Sequence, residues 1–170
     1  MADLITHSCV ALLWKVASTP GRLPAERWRL PGGVATFLLG TCLPDLLGRV
    51  PAMALTTIRW QVPWIPEWAV YLWSPFHVPF GILLGSVLVA QAFTDRRAAA
   101  WQLAWGGLLH VAVDLLQTHL GIGYLLLFPF SMWDFELGWI GSESTVLIVP
   151  VLLPATMLAC WARWWRGATG

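Results

Sequence analysis

Five stretches of nearly unbroken apolar residues, at about 4–18, 33–50, 68–93, 99–128 and 144–163, constrain this chain before any motif does. Each approaches or exceeds the roughly 17 to 25 residues that carry a helix across a bilayer, the first being the shortest. The chain cannot bury all of this in an interior of its own, since 58% of its 170 residues are hydrophobic and only 11% charged, against about a quarter in soluble domains. In lipid, backbone polar groups must be satisfied within the segment, which long apolar runs achieve as helices. The expectation is an all-α polytopic membrane protein with a single domain over residues 1–170. It is a bundle of about five transmembrane helices at about 4–18, 33–50, 68–93, 99–120 and 144–163.

The N-terminal stretch lacks the basic start of a signal peptide, its first base being Lys15, so it reads as a retained helix. Cys9, Cys42 and Cys160 are odd in number and each lies in an apolar stretch, which suits small buried side chains rather than a disulfide framework. A net charge of +1 argues against a nucleic-acid partner. With five spans, eight of the ten bases fall on one side: Lys15, Arg22, Arg27, Arg29, Arg96, Arg97, Arg163 and Arg166. The positive-inside rule makes that side cytoplasmic, with the N-terminus outside and the C-terminus inside. The thirteen tryptophans gather at the segment ends, as an interfacial belt requires. Gly81 and Gly85, spaced small-x-x-x-small, suit close packing of the third helix on a neighbour.

Against this background the stretch GGLLHVAVDLLQTHLG, residues 106–121, is anomalous. At 100° per residue His110, Asp114, Gln117 and Thr118 share one helix face, opposite Leu108, Val111, Ala112 and Leu115. An ionised Asp in mid-membrane costs roughly 2.5 to 3.5 kcal/mol on insertion scales and normally faces a cavity, a partner or an ion. At 1.5 Å per residue from the outer end of each segment, His7 lies about 5 Å deep, Asp45 about 8 Å, Asp114 about 10 Å, His77 about 13 Å and His110 about 16 Å. All five occupy one leaflet.

Three imidazoles and two carboxylates at similar depth make a first shell for one or two divalent cations. The mixture points to Zn²⁺, with Mn²⁺ or Fe²⁺ as alternatives, rather than to Mg²⁺ or Ca²⁺, which prefer oxygen alone. His7, Asp45, His77, His110 and Asp114 are the candidate ligands, with Asp45 and Asp114 also the candidate catalytic carboxylates. Asp3, one turn before His7, and Thr118, on the polar stripe, are expected behind them. Each has a plainer explanation. His110 and Asp114 could form an intrahelical pair, His77 could bond a carbonyl freed by Pro79, Asp45 could cap a helix or hold Arg49, and His7 could be solvated at the interface. His119 points half a turn away from the stripe and stays outside the set.

The order of these elements, THSCVALLW, GTCLPDLLGR, a mid-chain histidine in SPFHVPFG, then LLHVAVDLLQTHLGIGYLLLFPFS, resembles the YdjM-like membrane-bound metal-dependent hydrolases of bacteria. The likeness covers roughly residues 4–140 and places His7, Pro44, Asp45, His110, Asp114, Thr118, Gly121, Pro129 and Ser131 at matching positions. That family is similar in its ligand order to the zinc-dependent phospholipase C and single-strand nuclease superfamily. The resemblance therefore implies metal-assisted hydrolysis of phosphoesters or lipid-linked phosphates in a bacterial inner membrane. Here the family's denser HR-x-x-THS motif is reduced to FHVPFG, with no arginine after His77. A different class of function is a non-catalytic subunit of a larger membrane complex, holding haem or chlorophyll through His77 or His110. Gly106 and Gly107 would then give a flat ring its room.

Overall fold

The computed structural model describes residues 4–19, 33–118, 123–141 and 144–168. It is mostly helical, and its helices are α1 (Leu4–Ser18), α2 (Val34–Pro44), α3 (Val50–Gln61), α4 (Trp68–Tyr71), α5 (Pro79–Ala90), α6 (Arg96–Asp114) and α7 (Thr145–Ala168). One wide π turn, Asp45–Arg49, joins α2 to α3, and a 3₁₀ turn, Ser74–His77, precedes α5. Between α6 and α7, two-residue strands β1 (Gln117–Thr118) and β2 (Ile140–Gly141) pair in parallel.

The second apolar stretch runs further than expected. The Pro-rich segment after Val50 continues the helix to Gln61 instead of forming a connection, so that Val34–Gln61 is one apolar helical run of 28 residues. Pro51 is tolerated because the π turn re-registers the ladder just before it: the Val50 amide bonds the Asp45 carbonyl five residues back, and Pro51 falls at the start of α3, where a missing N–H costs least. The third stretch is not one straight span. Its two halves, Trp68–His77 and Pro79–Ala90, meet at 84°, the extended Val78 before Pro79 forming the break. The fourth helix starts at Arg96, capped by the Asp95 carboxylate on the Ala98 amide at 3.0 Å, and stops at Asp114, well short of residue 120. By length and apolarity the described residues hold two helices able to cross a membrane, Val34–Gln61 and Thr145–Trp165, or three if the bent pair is counted as one. Five clear spans are not present among them, α1 being a shorter apolar helix.

At the centre α2 lies along α6, α5 packs on α6 beside it, and α1 bridges α2 and α7. Glycine sets the α2–α6 distance. A Cβ on Gly106 would run into the Phe37 carbonyl and the Thr41 amide, and one on Gly40 into the backbone of Leu103. Gly81 and Gly85 serve a more local purpose, the first seated on the Pro75 carbonyl and the second against Leu47 and Phe76. The inner faces are small and partly polar, with Thr6, Thr36, Thr41 and Ser86 buried among Ala11, Ala99, Phe37 and Leu103. The outer faces are the reverse. Leu147, Val151, Met157 and Trp164 on α7 are more than 60% exposed, an apolar surface that suits lipid and not water.

Candidate metal centre

Four separate elements bring the five candidate ligands together. α1 supplies His7, the π turn supplies Asp45, the 3₁₀ turn supplies His77, and the last two turns of α6 supply His110 and Asp114. The bends that disturb the spans also place the ligands. His77 stands at the 84° break, and its ring rests on the π turn where Gly48 has no side chain, since a Cβ there would lie 3.1 Å from His77 Nδ1.

Asp114 is the hub. Its Oδ1 lies 3.1 Å from His7 Nε2, and its Oδ2 lies 3.2 Å from His110 Nε2 and 3.7 Å from His77 Nε2. His110 Nε2 and His77 Nε2 are 3.1 Å apart. Asp45 Oδ1 faces His77 Nε2 at 3.6 Å and the Arg49 guanidinium at 4.0 Å. The His7 and His110 rings stack with centroids 3.9 Å apart, a poor arrangement for two imidazolium ions and a good one for neutral rings. His7, His110 and Asp114 are buried, whereas Asp45 and His77 are partly open.

The donor set can be tested against a cation by geometry alone. Ligand atoms about 2.0 to 2.1 Å from a tetrahedral centre stand about 3.3 to 3.4 Å from one another. His77 Nε2, His110 Nε2 and Asp114 Oδ2 are separated by 3.1, 3.2 and 3.7 Å, matching one face of such a tetrahedron. A single proton between the two Nε2 atoms could not also serve the carboxylate. Two overlapping triads, buried His7 with His110 and Asp114, and half-buried Asp45 and His77 with His110, thus form a His/Asp cluster that could hold a metal ion.

Two further groups hold Asp114, and only one of them lay on the expected polar stripe. The Gln117 amide donates to Oδ1 at 3.1 Å, and the Tyr124 hydroxyl donates to Oδ2 at 2.5 Å. Burial first, and then the adjacent carboxylate, push the Tyr124 phenol well above its ordinary range, so it stays a donor. Tyr124 is one of only two tyrosines in the chain, the sole signal by which it could have been found. Thr118 is displaced from the role expected of it. Because α6 ends at Asp114, Thr118 lies in β1 with an exposed side chain, and Gln117 takes the place behind the carboxylate. Asp3 and His119 lie outside the described residues.

Gly106 and Gly107 leave no space for a macrocycle beside His110. α2 fills the first position, and Ile82 of α5 fills the second. Both candidate axial ligands, His77 and His110, turn Nε2 toward the carboxylates.

The fold and the cluster together define a helical chain, apolar enough for membrane association, with buried His/Asp groups that could hold a metal ion. Comparison with protein-family models, with curated proteins and with solved structures found no match.

Proposed function

We propose that the chain is a membrane-embedded, metal-dependent hydrolase of phosphoesters, lipid-linked phosphates among them, related to the YdjM-like proteins and sited in a bacterial inner membrane with its N-terminus outside. The observation that carries this reading is the tetrahedral spacing of His77 Nε2, His110 Nε2 and Asp114 Oδ2, with His7 and Asp45 on either flank. A bound Zn²⁺ would supply Lewis acidity and an activated water at neutral pH.

The protein's own groups have distinct tasks in this scheme. Gln117 fixes one oxygen of Asp114, the one that faces His7, and Tyr124 fixes the other, so the carboxylate meets the cluster in a single orientation. Apolar packing of α2 and α5 around α6 excludes bulk water from the buried side. Asp45, on the open side, is the base whose Oδ1 accepts the proton of the attacking water. The ester P–O bond then breaks, and the alcohol leaves with a proton from solvent.

The test is hydrolysis by the detergent-purified chain of bis(p-nitrophenyl) phosphate and of a short-chain phosphatidic acid. Activity on either should vanish with chelator and return with zinc, and Asp45→Asn assayed at saturating zinc should lose turnover. Turnover that survives complete metal removal, or none with fully loaded protein on both classes, rules the reading out.

A further inference from the structure

Arg49 is the permanent cation nearest the cluster, and its five N–H donors make no hydrogen bond among the described residues. Its one charged neighbour among the described residues is Asp45 Oδ1 at 4.0 Å, beyond hydrogen-bond reach. Arg96 and Arg97 also make no hydrogen bond among the described residues, but both are exposed at the start of α6, and the remaining described cations are paired. Lys15 donates to Gln102, Arg59 pairs with Glu67, and Arg163 donates to the Thr19 carbonyl. An uncommitted guanidinium in an apolar setting is expensive unless something completes it. Asp45 cannot do so fully, because the same oxygen also faces His77.

Exposure rises outward from the hub. The side chains of Asp114, Asp45, His77 and Arg49 are 7, 14, 20 and 32% exposed, so a ligand reaching the cluster from this side passes the guanidinium. Charge gives the same direction. Two carboxylates balance a divalent cation with neutral imidazoles, which leaves the charge of Arg49 without a counterpart among the described residues. A singly charged anion closes that sum, and a planar fork of donors matches the oxygens of a phosphoryl group. The π turn fixes the geometry, since Gly48 between the two residues is held against His77 and the Trp73 carbonyl.

We infer that Arg49 is the specificity residue of the site, binding the oxygens of a singly charged phosphodiester beside the Asp45–His77 edge. This rests on the metal-centre reading above and adds to it the residue that selects the substrate's charge.

The experiment follows dimethyl phosphate binding to the zinc-loaded chain in neutral detergent by ³¹P NMR, with zinc per chain measured on the same samples. Arg49→Met should weaken binding roughly 10- to 100-fold, the range spanned by a hydrogen bond to a charged group. Arg49→Lys, keeping the charge but losing the fork, should fall between, and Arg59→Met should match the native protein. Dihexanoyl phosphatidylglycerol, the same group on a lipid, is titrated in parallel. Binding at least about tenfold tighter than dimethyl phosphate assigns the site to a lipid headgroup, and equal binding to a soluble diester. Zinc-loaded Arg49→Met that binds dimethyl phosphate as tightly as the native chain overturns the inference and leaves the metal centre standing. So does loaded native protein that binds neither probe. Native protein that retains no zinc removes both. If Arg49→Met loses its zinc, Arg49→Lys decides: weakened diester binding with zinc retained supports the inference, and unchanged binding overturns it.

Discussion

Replacing Asp114 with Asn removes one charge and almost no volume, which separates what this carboxylate does for the fold from what it does for a cation. Asp114 accepts hydrogen bonds from Tyr124 and Gln117 and faces three imidazoles. The amide that replaces the carboxylate can keep its carbonyl toward Tyr124. Its NH₂ group would then meet the Gln117 amide, but Gln117 can turn over, because its own Oε1 is buried with no hydrogen-bond partner and becomes the acceptor the new donor needs. Two charge-assisted bonds thus become two neutral ones, at a cost of about 1 kcal/mol each and about 2 kcal/mol in all. A folded, membrane-inserted variant with a modestly lower thermal midpoint is expected. Metal affinity should suffer far more. Loss of an outer partner of a ligand already costs about 10- to 100-fold, so loss of a ligand itself should exceed about tenfold. Equilibrium dialysis against a zinc buffer, with far-ultraviolet circular dichroism as the check on folding, measures both quantities. Unchanged zinc affinity in a folded Asp114→Asn variant would refute the assignment of this carboxylate as a ligand.

Three other variants probe the surroundings. Tyr124→Phe keeps the ring and deletes the donor to Oδ2, so zinc affinity should fall about tenfold, less than in Asp114→Asn; dialysis of the two side by side gives the order. Thr118→Val should leave zinc affinity within error of native, since the hydroxyl lies past the end of α6 on an exposed strand. Gly106→Val would drive a branched side chain into the α2 backbone and should cost about 3 kcal/mol, seen as a large drop in the thermal midpoint in detergent.

The core of this candidate site was legible because two of its residues are tied together by helical periodicity. His110 and Asp114, four apart on an otherwise apolar face, could not avoid adjacency once α6 formed. His7, Asp45 and His77 were reached by depth, a one-dimensional argument that works because a bilayer orders helices along one axis. What depth could not supply was the backbone between spans. Tyr124 is held beside Asp114 with its backbone paired to Phe135, and nothing periodic announces such a contact. Thr118 was misplaced by extending a helix through Gln117, where the chain in fact caps the helix at Leu115 and turns into a strand at Gln117. The described residues hold two or three clear spans where five were expected, for a related reason. Apolar composition registers the total length of Trp68–Ala90 but not an 84° turn at Val78, and the second span, expected to end at residue 50, runs on because a π turn accommodates Pro51.

X-ray absorption at the zinc edge of the loaded, detergent-solubilised chain tests the central claim most directly. The account predicts about one zinc per chain with only nitrogen and oxygen neighbours near 2.0 to 2.1 Å and the outer-shell scattering of at least two imidazole rings. A chain that retains no zinc, or zinc whose neighbours include sulfur near 2.3 Å from Cys9, Cys42 or Cys160, would contradict it.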